Sequence, residues 1–151
     1  MVVIRPLMSD PVGPFTEIII PPTVATFSFV TTVTLGLSSF TARDWLDDNR
    51  RAIEEAHALG AQCLVLVVGG LPAGSKDLER ARERVKESIS IILPEARQAG
   101  VPLAIEPLHP MQAAERACIN TLEQALDVCD ALGDGIGVAV DVYHVWWDPK
   151  L

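Results

Sequence analysis

Two acidic residues each end a short apolar run, and each is followed three positions later by a histidine. Glu106 ends the run Leu-Ala-Ile and precedes His109, while Asp141 ends the run Val-Ala-Val and precedes His144. An isolated carboxylate is costly to place among apolar groups unless a cation or hydrogen-bond donors meet it. The repetition of this cost at the ends of two neighbouring strands predicts a shared ligand, most simply a divalent metal ion bound by Glu106 and Asp141.

Carboxylate oxygens with imidazoles nearby suit a hard or borderline cation. Mn²⁺ is the first expectation, and Mg²⁺, Co²⁺ and Zn²⁺ are also compatible with this ligand set. A purely structural interpretation stays open, because acidic residues at strand ends also cap the following helix or pair with an arginine.

Composition limits the class of protein. The chain has 151 residues, of which 49% are hydrophobic and 21% charged, and its net charge is −8. These values indicate one globular domain and oppose binding to nucleic acid or to anionic membranes, both of which favour a basic surface. The three cysteines are widely spaced in apolar contexts, which predicts free core residues in a reducing cytoplasm (Cys63, Cys118 and Cys129).

From residue 41 onward, amphipathic helices alternate with short apolar strands. Each helix ends at a glycine, which gives predicted helices over 41–60, 75–100 and 120–133 and predicted strands over 63–68, 101–106 and 137–142. Pro94 is expected to kink or divide the second helix, and Asn120 to cap the third. Such alternation predicts βα units and a parallel sheet, either in a β/α barrel or in an open doubly wound fold.

Residues 1–40 do not share this pattern and form a separate, atypical segment ahead of the domain predicted over 41–151. Strands are expected near 16–20 and 25–35. The start of the chain does not resemble a signal peptide. The uncharged stretch 18–37 is long enough for a membrane span, but its prolines and threonines favour buried strands.

Four motifs resemble the sugar phosphate isomerase/epimerase family, whose members are xylose isomerase-like TIM barrels. The resemblance covers residues 40–151, and the motifs lie at 47–53, 64–70, 105–111 and 141–149. It implies a TIM-barrel-type α/β domain with a divalent metal at the carboxyl ends of the strands. By this resemblance Glu106 and Asp141 are metal ligands, Glu106 is also the catalytic base, and His144 and His109 face the substrate.

The chain also departs from that family. Sugar epimerases of the family have a further glutamate six residues after the first ligand, where this sequence has Gln112. The family takes two more ligands from the last strands of the barrel, whereas this sequence ends after the strand that carries Asp141. We therefore expect an incomplete barrel, whose open strand edges favour association with a second copy.

The function implied is a metal-dependent isomerase or epimerase of a sugar or sugar phosphate. The metal polarises a sugar carbonyl, and a proton is removed from the adjacent carbon to give an enediolate. Two alternatives stay open: a phosphodiesterase of the endonuclease branch that shares this barrel, and a non-catalytic remnant that acts as an interaction module. The expected partner is a small sugar substrate, with neither nucleic acid nor membrane.

Overall fold

Parallel strands alternate with helices in the computed structural model, which describes residues 30–32, 42–72 and 74–151. Each strand pairs in parallel with the next, so the sheet order is β1-β2-β3-β4, and the predicted parallel β/α architecture is confirmed. The described strands form an open sheet. The elements in chain order are β1 (Val30–Thr32), α1 (Ala42–Ala58), β2 (Leu64–Val67), α2 (Leu78–Ala99), β3 (Leu103–Ile105), a 3₁₀ turn (Pro110–Gln112), α3 (Leu122–Leu132), β4 (Ile136–Val138) and α4 (Val142–Val145).

The sheet is apolar on both faces, as the lack of alternation in the strands predicts. Leu66 and Ile105 belong to the main core, which also contains the buried faces of the helices. Their neighbours Val65 and Ala104 belong to a second, smaller cluster with Ala139. Successive strand residues thus pack on opposite faces of the sheet, and both faces are covered by apolar side chains.

Helix α2 is a single element that continues through Pro94. The carboxylate of Asp77 accepts a hydrogen bond from the backbone N–H of Arg80 at its start, and Gly100 ends it in a left-handed conformation. Of the kink or division expected at Pro94, the division is wrong, because Pro94 lies on the exposed side and the buried face is continuous around it. The buried residues of the helix are Ala81, Val85, Ile89, Ile92, Leu93 and Ala96.

The start of α3 differs from the prediction by one residue. The hydroxyl of Thr121, and not the side chain of Asn120, caps the helix by accepting a hydrogen bond from the backbone N–H of Gln124 at 3.1 Å. Asn120 is buried and its amide donates to the carbonyls of Leu108 and Ala117, each at 3.0 Å. Both residue types are good caps, and the tertiary contacts of Asn120 decide between them.

Strand β4 stops well before the end of the predicted strand 137–142, which is therefore wrong in its second half. The last ladder bond joins the backbone N–H of Ala139 to the carbonyl of Ile105 at 2.9 Å. Asp141 then accepts a hydrogen bond from the backbone N–H of Tyr143 at 2.9 Å and begins α4. Asp141 thus caps a helix at the point where the strand was expected to continue.

The other predicted strands are confirmed where they are described. Strands 63–68 and 101–106 contain β2 and β3, and the strand near 25–35 contains β1. The strand predicted near 16–20 lies outside the described residues, as does most of the uncharged stretch 18–37. In the described part of the chain, no helix is both long and apolar enough to cross a membrane. The cysteines are free, with Cys118 and Cys129 buried and Cys63 half-buried.

Candidate metal centre

Glu106 and Asp141 follow neighbouring parallel strands at the same edge of the sheet. The backbone N–H of Glu106 donates to the carbonyl of Leu66 at 3.0 Å, which extends the pairing of β3 with β2. On the other side of β3 lies β4, and the chain leaves it through Asp141 into α4. Because parallel strands present their carboxyl ends at one edge, both acidic side chains reach the same region.

His144 joins the two carboxylates from the first turn of α4. One ligand atom from each of Glu106, Asp141 and His144 lies within 4.8 Å of the others, and all three residues are half-buried. Oxygen ligands lie about 2.0–2.6 Å from a divalent cation, so donor atoms on one ion are separated by up to roughly 5 Å. The three side chains are therefore close enough to surround a single cation.

The carboxylate of Glu106 has no hydrogen-bond donor among the residues that the structure describes, whereas Asp141 accepts from Tyr143. Burial raises the pKa of Glu106 above its ordinary value, and the nearby charge of Asp141 adds to this increase. The charges of His144 and Arg116 act in the opposite direction. A cation bound here would favour the ionised carboxylate, so the donor set fits a metal ion.

The ring of His144 contacts the backbone of the loop that follows β3. The backbone N–H of His109 donates to Nδ1 of His144 at 3.5 Å, and the indole N–H of Trp147 donates to the carbonyl of His144 at 3.0 Å. When Nδ1 of a neutral imidazole accepts a hydrogen bond, the ring proton lies on Nε2. Coordination of a metal through Nε2 would therefore require the ring proton to move to Nδ1, in place of this contact.

His109 lies beside the three clustered side chains and is not one of them. Its Nδ1 accepts a hydrogen bond from the backbone N–H of Met111 at 3.2 Å, which caps the 3₁₀ turn. Its ring stands edge-on to Trp147, with ring centroids 5.9 Å apart. Of the four residues predicted from the sequence, three come together and the fourth supports one of them through its backbone.

Arg116 is not among the residues predicted from the sequence, although its charge acts on Glu106. It lies ten residues after Glu106, in an irregular loop without helical or strand periodicity. No spacing pattern links these two positions, because the loop folds back through long-range contacts.

A profile described as a xylose isomerase-like TIM barrel matches residues 19–151. Among solved structures, a protein of Sinorhizobium meliloti is 68% identical in the aligned region with a TM-score of 0.69. The alignment covers 72% of this chain and 39% of that protein, so the chain spans about two fifths of the length of this relative. A search of curated proteins finds no match.

More distant structures share the fold. D-psicose 3-epimerase, solved in the presence of D-fructose, is 19% identical with a TM-score of 0.63, over 81% of this chain and 45% of the epimerase. The IolI protein, solved with a bound zinc atom, is 18% identical with a TM-score of 0.54, over 71% of this chain and 38% of IolI. The open parallel sheet is part of such a barrel, and the chain belongs to the xylose isomerase-like TIM barrel family.

Proposed function

We propose that this chain carries part of the active site of a divalent-metal-dependent isomerase or epimerase of a sugar or sugar phosphate. The observation that carries the proposal is the meeting of Glu106, Asp141 and His144 within 4.8 Å at the carboxyl ends of two parallel strands. In TIM barrels, this end of the strands is the catalytic face. The fold shared with D-psicose 3-epimerase supports the same class of reaction.

Glu106 and Asp141 are the proposed metal ligands. Their hard oxygen donors favour Mn²⁺ or Mg²⁺, and Co²⁺ and Zn²⁺ are compatible as well. Zinc in IolI, which shares this fold, supports a metal at such a barrel without fixing its identity here. Two carboxylates fill only part of a coordination sphere, so substrate, water or further protein groups complete it.

A bound metal would polarise the substrate carbonyl. Glu106 removes the proton from the adjacent carbon: the C–H electrons enter a new C=C bond, the π electrons of the C=O bond move onto its oxygen to give an enediolate, and the proton moves to a carboxylate oxygen of Glu106. Delivery of a proton by a second acid to the opposite face inverts the carbon. Return of the proton from Glu106 to the former carbonyl carbon, with transfer of the neighbouring hydroxyl proton to the alkoxide oxygen, moves the carbonyl. The half-buried position of Glu106 beside Asp141 and His144 suits a general base at this site.

The two histidines are proposed to bind the substrate. With Nδ1 of His144 occupied by the N–H of His109, its Nε2–H is free to donate to a substrate oxygen. His109 holds this tautomer through its backbone, and its ring faces the substrate beside Trp147. The free cysteines of the described chain accord with the proposed cytoplasmic location.

A non-catalytic interaction module is the second candidate. In the described sheet, β1 and β4 each pair on one side only, and an open strand edge favours pairing with a second copy of the chain. Concentration-dependent assembly without metal binding would support this alternative. The net charge of −8 opposes the third candidate, a phosphodiesterase acting on DNA.

Proton exchange tests the proposed chemistry directly. A panel of ketoses and ketose phosphates is incubated in D₂O with the chain and Mn²⁺, and deuterium at the carbon next to the carbonyl is followed by NMR. We expect metal-dependent exchange that Glu106→Gln abolishes and that the exposed substitution Glu54→Gln leaves unchanged. Cleavage of abasic DNA without sugar exchange would overturn the proposal in favour of the phosphodiesterase.

A further inference from the structure

Asn120 is one of three buried polar or charged residues in the part of the chain that the structure describes, and the others are Asn49 and Asp148. It lies between the loop that follows β3 and the start of α3. A carboxamide has two N–H donors, and both are used here, on the carbonyls of Leu108 and Ala117 at 3.0 Å each. Because a buried amide is costly without such partners, these two bonds hold the side chain in one place.

The carbonyl of Leu108 belongs to the same peptide group as the backbone N–H of His109, and this peptide bond is trans. A peptide group is planar, and in the trans form its C=O and N–H point in opposite directions. The side chain of Asn120 binds the C=O side of the group, while the N–H side donates to Nδ1 of His144 at 3.5 Å. The hydrogen bond from Asn120 therefore helps to fix the direction of the N–H that meets the ring of His144.

Two further hydrogen bonds hold this peptide and the backbone of His144. The N–H of Leu108 donates to the carbonyl of Ile119 at 3.2 Å, so both polar groups of Leu108 are bound to the segment that precedes α3. The indole N–H of Trp147 donates to the carbonyl of His144 at 3.0 Å. With its backbone held in this way, the imidazole of His144 moves only by rotation about its side-chain bonds, and the N–H of His109 opposes that rotation.

We propose that Asn120 is a positioning residue, which acts through the Leu108–His109 peptide to hold the imidazole of His144 with Nδ1 as acceptor and the ring proton on Nε2. The inference rests on the proposed function, in which Nε2–H of His144 donates to a substrate oxygen. Successive hydrogen bonds in a chain polarise and strengthen one another, so the bond at the carbonyl also strengthens the bond at the ring. The amide of Asn120 is not needed to cap α3, since Thr121 does so.

Nuclear magnetic resonance of the ¹⁵N-labelled chain, without metal and without sugar, tests the proposal. The ring ¹⁵N resonances of His144 show which nitrogen carries the proton, and His144→Gln identifies them among those of the three histidines. Exchange of the His109 amide with D₂O, relative to that of Leu66 in β2, shows how firmly this N–H is held. A failure of the proposed function in the sugar or Mn²⁺ experiments leaves both measurements unaffected.

Two buried asparagines allow a matched comparison. Asn120→Asp keeps the shape of the side chain and replaces its two donors by an ionised carboxylate, whereas Asn120→Ala removes the polar group altogether. Asn49→Asp and Asn49→Ala are the controls, because Asn49 is also buried and its amide donates to the carbonyl of Trp45 at 2.8 Å within α1. All four variants are expected to lose stability in urea, so a general loss of stability does not separate the two positions.

We expect the unmodified chain to carry the ring proton of His144 on Nε2. In both Asn120 variants the His144 resonances should shift and the relative exchange of the His109 amide should rise about tenfold, as the loss of one hydrogen bond predicts. The Asn49 variants should change neither. A proton on Nδ1 of His144 in the unmodified chain overturns the proposal without any variant. Unchanged His144 resonances and His109 exchange in a folded Asn120 variant also overturn it, as do equal changes in the Asn49 variants.

Discussion

Asp148 and Glu106 are both acidic residues among apolar neighbours, and they differ in their hydrogen-bond partners. Asp148 is 6% exposed, and its carboxylate accepts hydrogen bonds from the backbone N–H groups of Leu122 at 2.8 Å and Lys150 at 2.9 Å. Glu106 is half-buried and receives no donor from the described part of the chain. Asp148 thus has hydrogen-bond partners in the fold and Glu106 has none in the described chain, as the proposed ligand-binding role of Glu106 requires.

Glu95 shows a third arrangement, on the surface. Both of its oxygens accept hydrogen bonds from the guanidinium of Arg50, at 2.7–3.0 Å, and the pair joins α1 to α2. The hydrogen bond from Arg50 lowers the pKa of Glu95, whereas burial raises that of Glu106. Opposite shifts predict opposite responses to pH and to neutralising substitutions.

Substitution of Asp148 is expected to have the largest effect on stability. Asp148→Ala leaves two backbone donors, including that of the first residue of α3, without an acceptor, which costs about 2–3 kcal/mol of unfolding free energy. Asp148→Asn keeps one acceptor oxygen and should lose less. Urea denaturation measures both variants. An Asp148→Ala variant as stable as the unmodified chain would contradict the structural role of this carboxylate.

Substitution of Glu106 is expected to change stability in the opposite direction when no metal is present. The raised pKa means that the folded chain holds a proton more tightly than the unfolded chain, so stability is full below the ordinary value of 4.5 and falls as pH rises through the raised pKa. Glu106→Gln removes this loss. Its melting temperature at neutral pH should therefore exceed that of the unmodified chain, and the difference should disappear in acid.

The exposed substitution Glu54→Gln is the control for Glu106→Gln, because it removes the same charge from a solvated helix face. It should leave the melting temperature nearly unchanged at all pH values. A Glu106→Gln variant less stable than the unmodified chain without metal would mean that Glu106 already has partners in the fold.

Glu95→Gln is expected to have the smallest effect. Because Arg50 lowers the pKa of Glu95, the contribution of the pair is present above the ordinary value of 4.5 and is lost as pH falls through the lowered pKa. Solvent screening keeps this contribution small. Melting curves from pH 7 to pH 3 should show a slight deficit of the variant at neutral pH that vanishes in acid. A deficit that grows in acid would contradict this assignment.

Local sequence signals predicted the elements and the acidic pair. Apolar runs that end in Glu106 and Asp141 are visible without a structure, and parallel strands necessarily bring such ends together. The ends of α2 and α3 at Gly100 and Gly133 also follow from the local sequence, because glycine readily adopts the positive φ found at these helix ends. These features depend on neighbours in sequence, and the structure contains them.

Features that depend on distant contacts were not predictable. Asn120 is a competent cap by type, but its buried bonds to the loop leave that role to Thr121. Pro94 breaks helices by type, yet the packing of α2 on both sides of it outweighs one lost hydrogen bond. The partners of Asp148 and the position of Arg116 likewise follow from chain segments far apart in sequence.

Glu106 and Asp141 are proposed to form a binding site for a divalent cation. Calorimetric titration of Mn²⁺ tests it on the unmodified chain, Glu106→Gln and Asp141→Asn, with Glu95→Gln as the control carboxylate and circular dichroism to confirm folding. We predict one Mn²⁺ per chain, binding weakened more than about tenfold in both site variants, and no change in Glu95→Gln. A folded chain that binds no Mn²⁺, or site variants that bind it as tightly as the unmodified chain, would contradict the claim.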